Sequence, residues 1–176
     1  GLLWFFFYML QPLDNYRVAP IDEHGERTET YAWLSRVCRT FVKWHAPVLM
    51  ECSLIRSWHV GKNWGGWPLF AGSDRIALAR SSAGTALILS EFKHANGAEY
   101  VVVVNNSQKE STQAEVQVRG HQPNLHRVGW LAKETSLVDS TGNGPEHGTD
   151  YIKVKCWLAP GQMEIYRISE GGLSGS

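Results

Sequence analysis

The sequence predicts a mainly β fold, an antiparallel β-sandwich preceded by a strand–loop–helix unit. Three observations predict it. Short β-type runs recur at roughly ten-residue spacing from Arg75 onward. Turn-forming dipeptides separate them, and no helical periodicity intervenes. The one clear 3.6-residue periodicity lies upstream, within the first fifty residues.

That upstream part opens with Leu2 to Leu10, nine continuous apolar residues rich in aromatics. An antiparallel strand with one wet face alternates; a continuous short run reads as a strand covered on both faces, as in a parallel sheet. It falls far short of the roughly 20 residues that a spanning helix needs. It also lacks the basic lead and small-residue cleavage site of a signal peptide. No membrane partner is expected. The first residue is Gly rather than Met, so the chain is expected to be a piece of something longer. A loop with Pro12, Asn15, Pro20 and His24-Gly25 follows.

A helix comes next. Thr28 suits its N-cap and Glu29 its first turn. Tyr31, Leu34, Val37, Cys38, Phe41 and Trp44 recur at three- and four-residue steps and form one apolar stripe, with Arg36, Arg39 and Lys43 off it. Pro47 stops the helix. A lone βα unit cannot bury both faces of its strand. Residues 1–52 therefore imply missing neighbours, or an unusual docking onto the rest of the chain.

From Ser53 the pattern changes. Residues 53–74 contain the Gly- and Trp-rich stretch Ser57 to Pro68 and are read as a linker holding the domain boundary. Residues 75–170 form the sandwich, with strands expected at Arg75–Ala79, Thr85–Phe92, Tyr100–Asn105, Gln113–Val118, His126–Leu131, Tyr151–Leu158 and Gln162–Ile168. Alternation is clean in Ala114/Val116/Val118 and in Ile152/Val154/Cys156/Leu158. Asn96-Gly97 is a hairpin signal. Residues 171–176 read as a flexible Gly/Ser tail.

Composition narrows the function. With 17 basic and 17 acidic residues and no Lys/Arg cluster, the chain is not built to follow a phosphate backbone, so nucleic acid is excluded as an expected partner. Cys38, Cys52 and Cys156 lack metal-ligand spacing, and an odd number cannot close a disulfide framework. Cys38 and Cys156 fall on apolar stripes and are expected as buried free thiols. His121, His126 and His147 invite a metal, but no carboxylate or thiol completes a set; no metal or other cofactor is expected. Glu91 and Glu99 flank the hairpin and read as outward-facing charges rather than an acid/base pair. There is no Gly-x-Ser-x-Gly elbow and no phosphate-binding glycine loop.

The order of the parts carries a resemblance. An aromatic strand beginning at Gly1, a loop with Ala19-Pro-Ile-Asp22 and a helix with Tyr31, Leu34 and Val37 resemble the eighth strand and helix of a (β/α)8 barrel. The match is to β-galactosidase-like and related retaining glycoside hydrolases. In such enzymes a small β-sandwich often follows, with a strand like Tyr100-Val-Val-Val-Val-Asn-Asn106 and a closing segment like Leu158-Ala-Pro-Gly-Gln-Met-Glu-Ile-Tyr166. The resemblance implies a parent that hydrolyses glycosidic bonds with retention, using two carboxylates about 5–5.5 Å apart. In that clan they come from the ends of the fourth and seventh strands, neither of which is in this chain. No catalytic residue is therefore expected here. Tyr8 and Gln11, at the C-terminal end of the strand where barrel active sites lie, are candidates to have lined the parent's sugar pocket, although barrel or interface packing is the stronger reading of Tyr8. A secreted or periplasmic location is favoured by the resemblance alone.

Within the chain, Trp58, Trp64 and Trp67 are the candidate carbohydrate-binding residues, with Lys62, Asn63 and Asp74 near in sequence. Sugar recognition stacks a pyranose face on an exposed indole. The competing reading is that these tryptophans cement a barrel-to-sandwich interface. Three functions thus stay open: an accessory region packed on the absent N-terminal barrel, a free-standing carbohydrate-binding module, and an interaction domain without sugar binding.

Overall fold

Alternating sequence becomes two stacked antiparallel sheets in the computed structural model, which describes residues 19–63, 65–82, 84–129, 133–136 and 145–170. In chain order the elements are α1 (Glu29–Trp44), α2 (Ala46–Leu49), β1 (Cys52–Val60), β2 (Ile76–Ser81), β3 (Leu87–His94), β4 (Glu99–Asn105) and β5 (Thr112–Arg119). They continue with β6 (Pro123–Val128), β7 (Glu134–Ser136), β8 (Glu146–His147), β9 (Tyr151–Leu158) and β10 (Met163–Glu170). The larger sheet has six strands in the order β1-β3-β4-β10-β6-β7; the smaller has four, β2-β5-β9-β8. The β-sandwich is present.

The core lies between the sheets. Leu87, Leu89, Val101, Val103, Leu125, Tyr166 and Ile168 from the large sheet meet Ile76, Val116, Val118, Ile152, Val154 and Leu158 from the small one. Burying each such aliphatic side chain stabilises the fold by about 1.5–3 kcal/mol before entropy is counted. A second cluster lies on the other face of the large sheet, where Tyr100, Val102, Val128 and Ile165 are joined by Val48 and Leu49 of α2. This explains the unbroken valine run at 101–104. β4 is covered on both faces, so nothing forces it to alternate.

The helix α1 forms where its periodicity places it, but the neighbours differ from expectation. None of its residues is buried: of its stripe Val37 and Phe41 are exposed and Tyr31, Leu34, Cys38 and Trp44 only half-buried, while Trp33 and Val42 beside the stripe are exposed as well. Thr28 takes the N-cap position with extended backbone, yet its hydroxyl donates to the Ala19 carbonyl (2.5 Å) instead of capping a helical amide. The Ala19–Thr28 loop thereby ties itself to the helix start.

Several expectations need correction. The segment read as a linker, 53–74, begins with most of β1, an edge strand paired with β3 from Cys52↔His94 to Val60↔Leu87. A register shift between Leu54 and Arg56 breaks the period of two and exposes both Leu54 and Ile55, which hides the strand from pattern reading. Cys156 is a buried free thiol, but Cys38 is only half-buried because α1 itself is not covered. Asn96-Gly97 does form the β3–β4 turn, but within a four-residue connection, 95–98, in which the Asn96 side chain accepts from the Ala98 amide (3.0 Å). β6 starts at Pro123, three residues before the expected start, with Pro as its first residue. The expected strand at Leu2–Leu10, the end of the expected strand at Leu131, and the tail 171–176 lie outside the described residues. Among those residues, no helix is long and apolar enough to cross a membrane.

Ion pairs tie the layers together. The Arg75 guanidinium reaches Glu99 at 2.6 Å and Glu170 at 2.6 Å, joining the start of the small sheet to two strands of the large one. Arg167 pairs with Glu134 at 2.6 Å. Partly exposed pairs like these contribute about 0–1 kcal/mol each, so they register the sheets rather than hold them.

Candidate functional site

The first recess lies at the end of the sandwich where β1 runs out. On β1 itself Trp58 and Val60 point into the core. Beyond Val60 the chain turns through Gly65 and Gly66, both at positive φ (64° and 74°), a conformation that side-chain-bearing residues rarely adopt. It then returns beside β1. The His59 amide donates to Pro68 carbonyl (2.9 Å), the Phe70 amide to His59 carbonyl (2.8 Å), and the Asn63 side-chain amide to Trp67 carbonyl (3.3 Å). The loop leaves Trp67 on the surface, 56% exposed, with Leu69 beside it.

Trp67, His59 and Lys62 line an open groove of about 900 Å³ whose opposite wall is Thr85, Ala86 and the segment Asn106 to Glu110. That wall is pinned by Asn105. Fully buried, its side-chain amide donates to the carbonyls of Glu110 (2.7 Å), Ala159 (3.1 Å) and Leu158 (3.2 Å), while its oxygen accepts from the Ser107 amide (3.0 Å). Ser107 Oγ then accepts from the Lys109 and Glu110 amides (3.2 and 3.0 Å). The side chains of Asn106, Gln108 and Lys109 have no hydrogen-bond partner among the described residues and remain available to a ligand.

The sequence-predicted residues divide clearly. Trp67 is on the groove. Trp58 is not: it is 6% exposed, stacked edge-on against Phe70 with centroids 5.5 Å apart and with the Arg56 guanidinium 5.8 Å from its ring. Its place on the inward register of β1 removes it as a sugar platform. Trp64, Tyr8 and Gln11 lie outside the described residues. Of the polar neighbours, Lys62 lines the groove and Asn63 braces the loop.

The second recess, about 490 Å³, opens between α1 and the large sheet. Val37, Phe41 and Trp44 face Val104, Val128 and Met163, and His45, Arg127 and Glu164 close one end. Arg127 and Glu164 form a two-pronged ion pair, with Gln162 Nε2 donating to the same carboxylate (3.2 Å). The Glu164 side chain is 6% exposed, so the pair substitutes for water around a buried charge, and its hydrogen bonding to Glu164 raises the Arg127 pKa. Nearby, burial pushes the Tyr166 hydroxyl well above the ordinary phenol range, with Cys156 adding to the effect. His45 joins α1 to α2. Desolvation lowers its pKa against a weaker opposing pull from Glu164, and its buried Nδ1 has no partner among the described residues.

Two further carboxylates are committed. Glu91 was expected to face outward. Instead it is buried at the end of the inward register Leu87/Leu89/Glu91 and accepts from Ser73 Oγ (2.5 Å), whose oxygen in turn accepts from the Ile76 amide (2.8 Å). The loop over that end of the sandwich demands an acceptor there, which is why a charge occupies an inward position. Glu99 is held by Arg75 and pairs across the strands with Lys93, not Glu91. His126 meets Ser169 Oγ at 3.0 Å, and among the described residues no group of His, Cys, Asp and Glu is placed to hold a metal ion.

Two features escaped sequence reasoning. Asn105 carried a signal, a polar residue ending an all-valine strand. The Arg127–Glu164 pair carried none: its members are 37 residues apart, and Glu164 is a buried charge in the register of Tyr166 and Ile168 that only a distant strand's guanidinium explains. Compared with protein-family models, curated proteins and solved structures, the chain matches none.

Proposed function

We propose that this chain is a non-catalytic accessory region of a glycoside-hydrolase-like protein, packing against the catalytic barrel through its helical side. The observation that carries the reading is the contrast between a sandwich whose core is complete and a helix, α1, that buries none of its residues and leaves Trp33, Val37, Phe41 and Val42 exposed. An amphipathic helix gains stability chiefly by burying that stripe. Trp33, Val37, Phe41 and Val42 are therefore the face on which the rest of the parent would sit. The carboxylates of Glu91, Glu99 and Glu164 are each engaged by a hydroxyl or a guanidinium, which fits a supporting part rather than a hydrolytic centre.

Extending the coding sequence upstream of Gly1 tests this directly. The reading expects further βα units with Glu at the ends of the fourth and seventh strands. An upstream sequence without them would reject the glycosidase parent. In the full-length protein, Val37→Asp with Phe41→Asp is expected to lower the thermal midpoint of the barrel while leaving the sandwich transition in place; loss of the sandwich transition instead would show that α1 belongs to the sandwich.

A further inference from the structure

We infer that the groove beside Trp67 binds a saccharide, seating one pyranose ring on the indole. The inference does not depend on the glycosidase parent, because it rests on the groove alone.

An indole more than half exposed gains little from its own fold. Here the exposure is enforced: Gly65 and Gly66 at positive φ shape the turn, and the backbone bonds from His59 to Pro68 and Phe70 lock the returning segment against β1. The backbone that carries the platform is therefore fixed before any ligand arrives, which reduces the entropy lost on binding. Opposite it, the segment after Asn105 is equally fixed, because Asn105 and Ser107 satisfy its backbone. What remains unsatisfied is side-chain chemistry: the amides of Asn106 and Gln108 and the ammonium of Lys109, across an open groove of about 900 Å³.

That combination specifies a ligand class. A flat apolar face faces carbon-bound hydrogens, and amides that both donate and accept match vicinal hydroxyls. A lipid or apolar peptide would leave the amides unpaired on burial, which opposes binding. A nucleic acid would need more than the scattered Lys62 and Lys109 for its phosphates. A saccharide uses both sides of the groove at once. With a single platform, affinity is modest and resides in one ring.

The test is native affinity electrophoresis of the full chain in gels containing soluble galactan, arabinoxylan or mixed-linkage glucan, followed by calorimetry with oligosaccharides of whichever polysaccharide retards it. At least one polysaccharide is expected to retard the chain. Trp67→Ala is expected to weaken binding about tenfold or more, as removal of a central aromatic anchor does, and Gln108→Ala by a few-fold. Trp157→Ala, another exposed tryptophan on the outward face of β9, is expected to leave retardation unchanged. Trp67→Ala should keep the wild-type thermal midpoint, so that lost binding is not lost folding. No retardation by any of the three, retardation that survives Trp67→Ala, or equal loss in Trp157→Ala would each overturn the inference.

Discussion

The sandwich and the helix ahead of it obey the same rule of pattern and end in opposite conditions. In β9 the alternating set Ile152, Val154, Cys156 and Leu158 is buried throughout; in α1 the stripe of Val37, Phe41 and Trp44 is not buried anywhere. Periodicity tells which face of an element wants cover. It does not tell whether the cover is in the same chain. The sheets find theirs in each other, and α2 finds its own on the outer face of β4 and β10. Helix α1 stands beside the large sheet over a cleft and, among the described residues, finds only partial cover, with Val37 and Phe41 exposed.

The sharpest way to break this comparison is a pair of truncations read by urea unfolding. Leu89→Ala removes a fully buried side chain between the sheets and is expected to cost about 2–5 kcal/mol. Val37→Ala, on a residue 64% exposed, is expected to fall within about 0.5 kcal/mol of wild type. If the two cost the same, α1 is a working part of the chain's own core and the contrast fails.

A smaller effect sharpens the comparison inside the sandwich. Asn105→Ala leaves the carbonyls of Glu110, Leu158 and Ala159 without their donor and is expected to destabilise by about 1–3 kcal/mol. Its neighbour Asn106, whose side chain is unpartnered among the described residues, is expected to be neutral when replaced by Ala. If Asn105 proved neutral too, the wall opposite Trp67 would be held by its backbone alone.

How far the sequence revealed all this follows from the length scale of each feature. Strands β2, β3, β5, β9 and β10 announce themselves because their partners impose an inside and an outside every second residue, and β4 does so by its unbroken valines. β1 did not, since the shift between Leu54 and Arg56 changes the face midway and its Trp and Gly neighbours resemble a linker. β7 and β8, of three and two residues, are too short to show any period. At the candidate site, Trp67 was legible as a loop aromatic, but Trp58 looked the same in sequence; only register separates a core tryptophan from a platform. Glu91 misled for a related reason. A buried carboxylate depends on which hydroxyl a distant loop supplies, here Ser73, and nothing local encodes that.

The smallest expected effect lies at the joint between the two regions. Burial lowers the His45 pKa below its ordinary value of 6.5, so the folded chain resists protonating this ring while the unfolded chain does not. As pH falls through 6.5 toward the folded-state value, the unfolded state takes up the proton first, and stability falls with it. Glu164 opposes the shift without reversing it, and the ring is partly exposed, so the slope is shallow. Stability should therefore drop slightly between pH 7.5 and 5.5, and amide exchange in the last turn of α1 should quicken beyond its intrinsic pH dependence. In His45→Gln that excess should vanish. An identical pH profile in His45→Gln would place the joint's sensitivity elsewhere. A flattened profile would show that the loosely held helix is fastened to the tightly held sandwich through one desolvated imidazole.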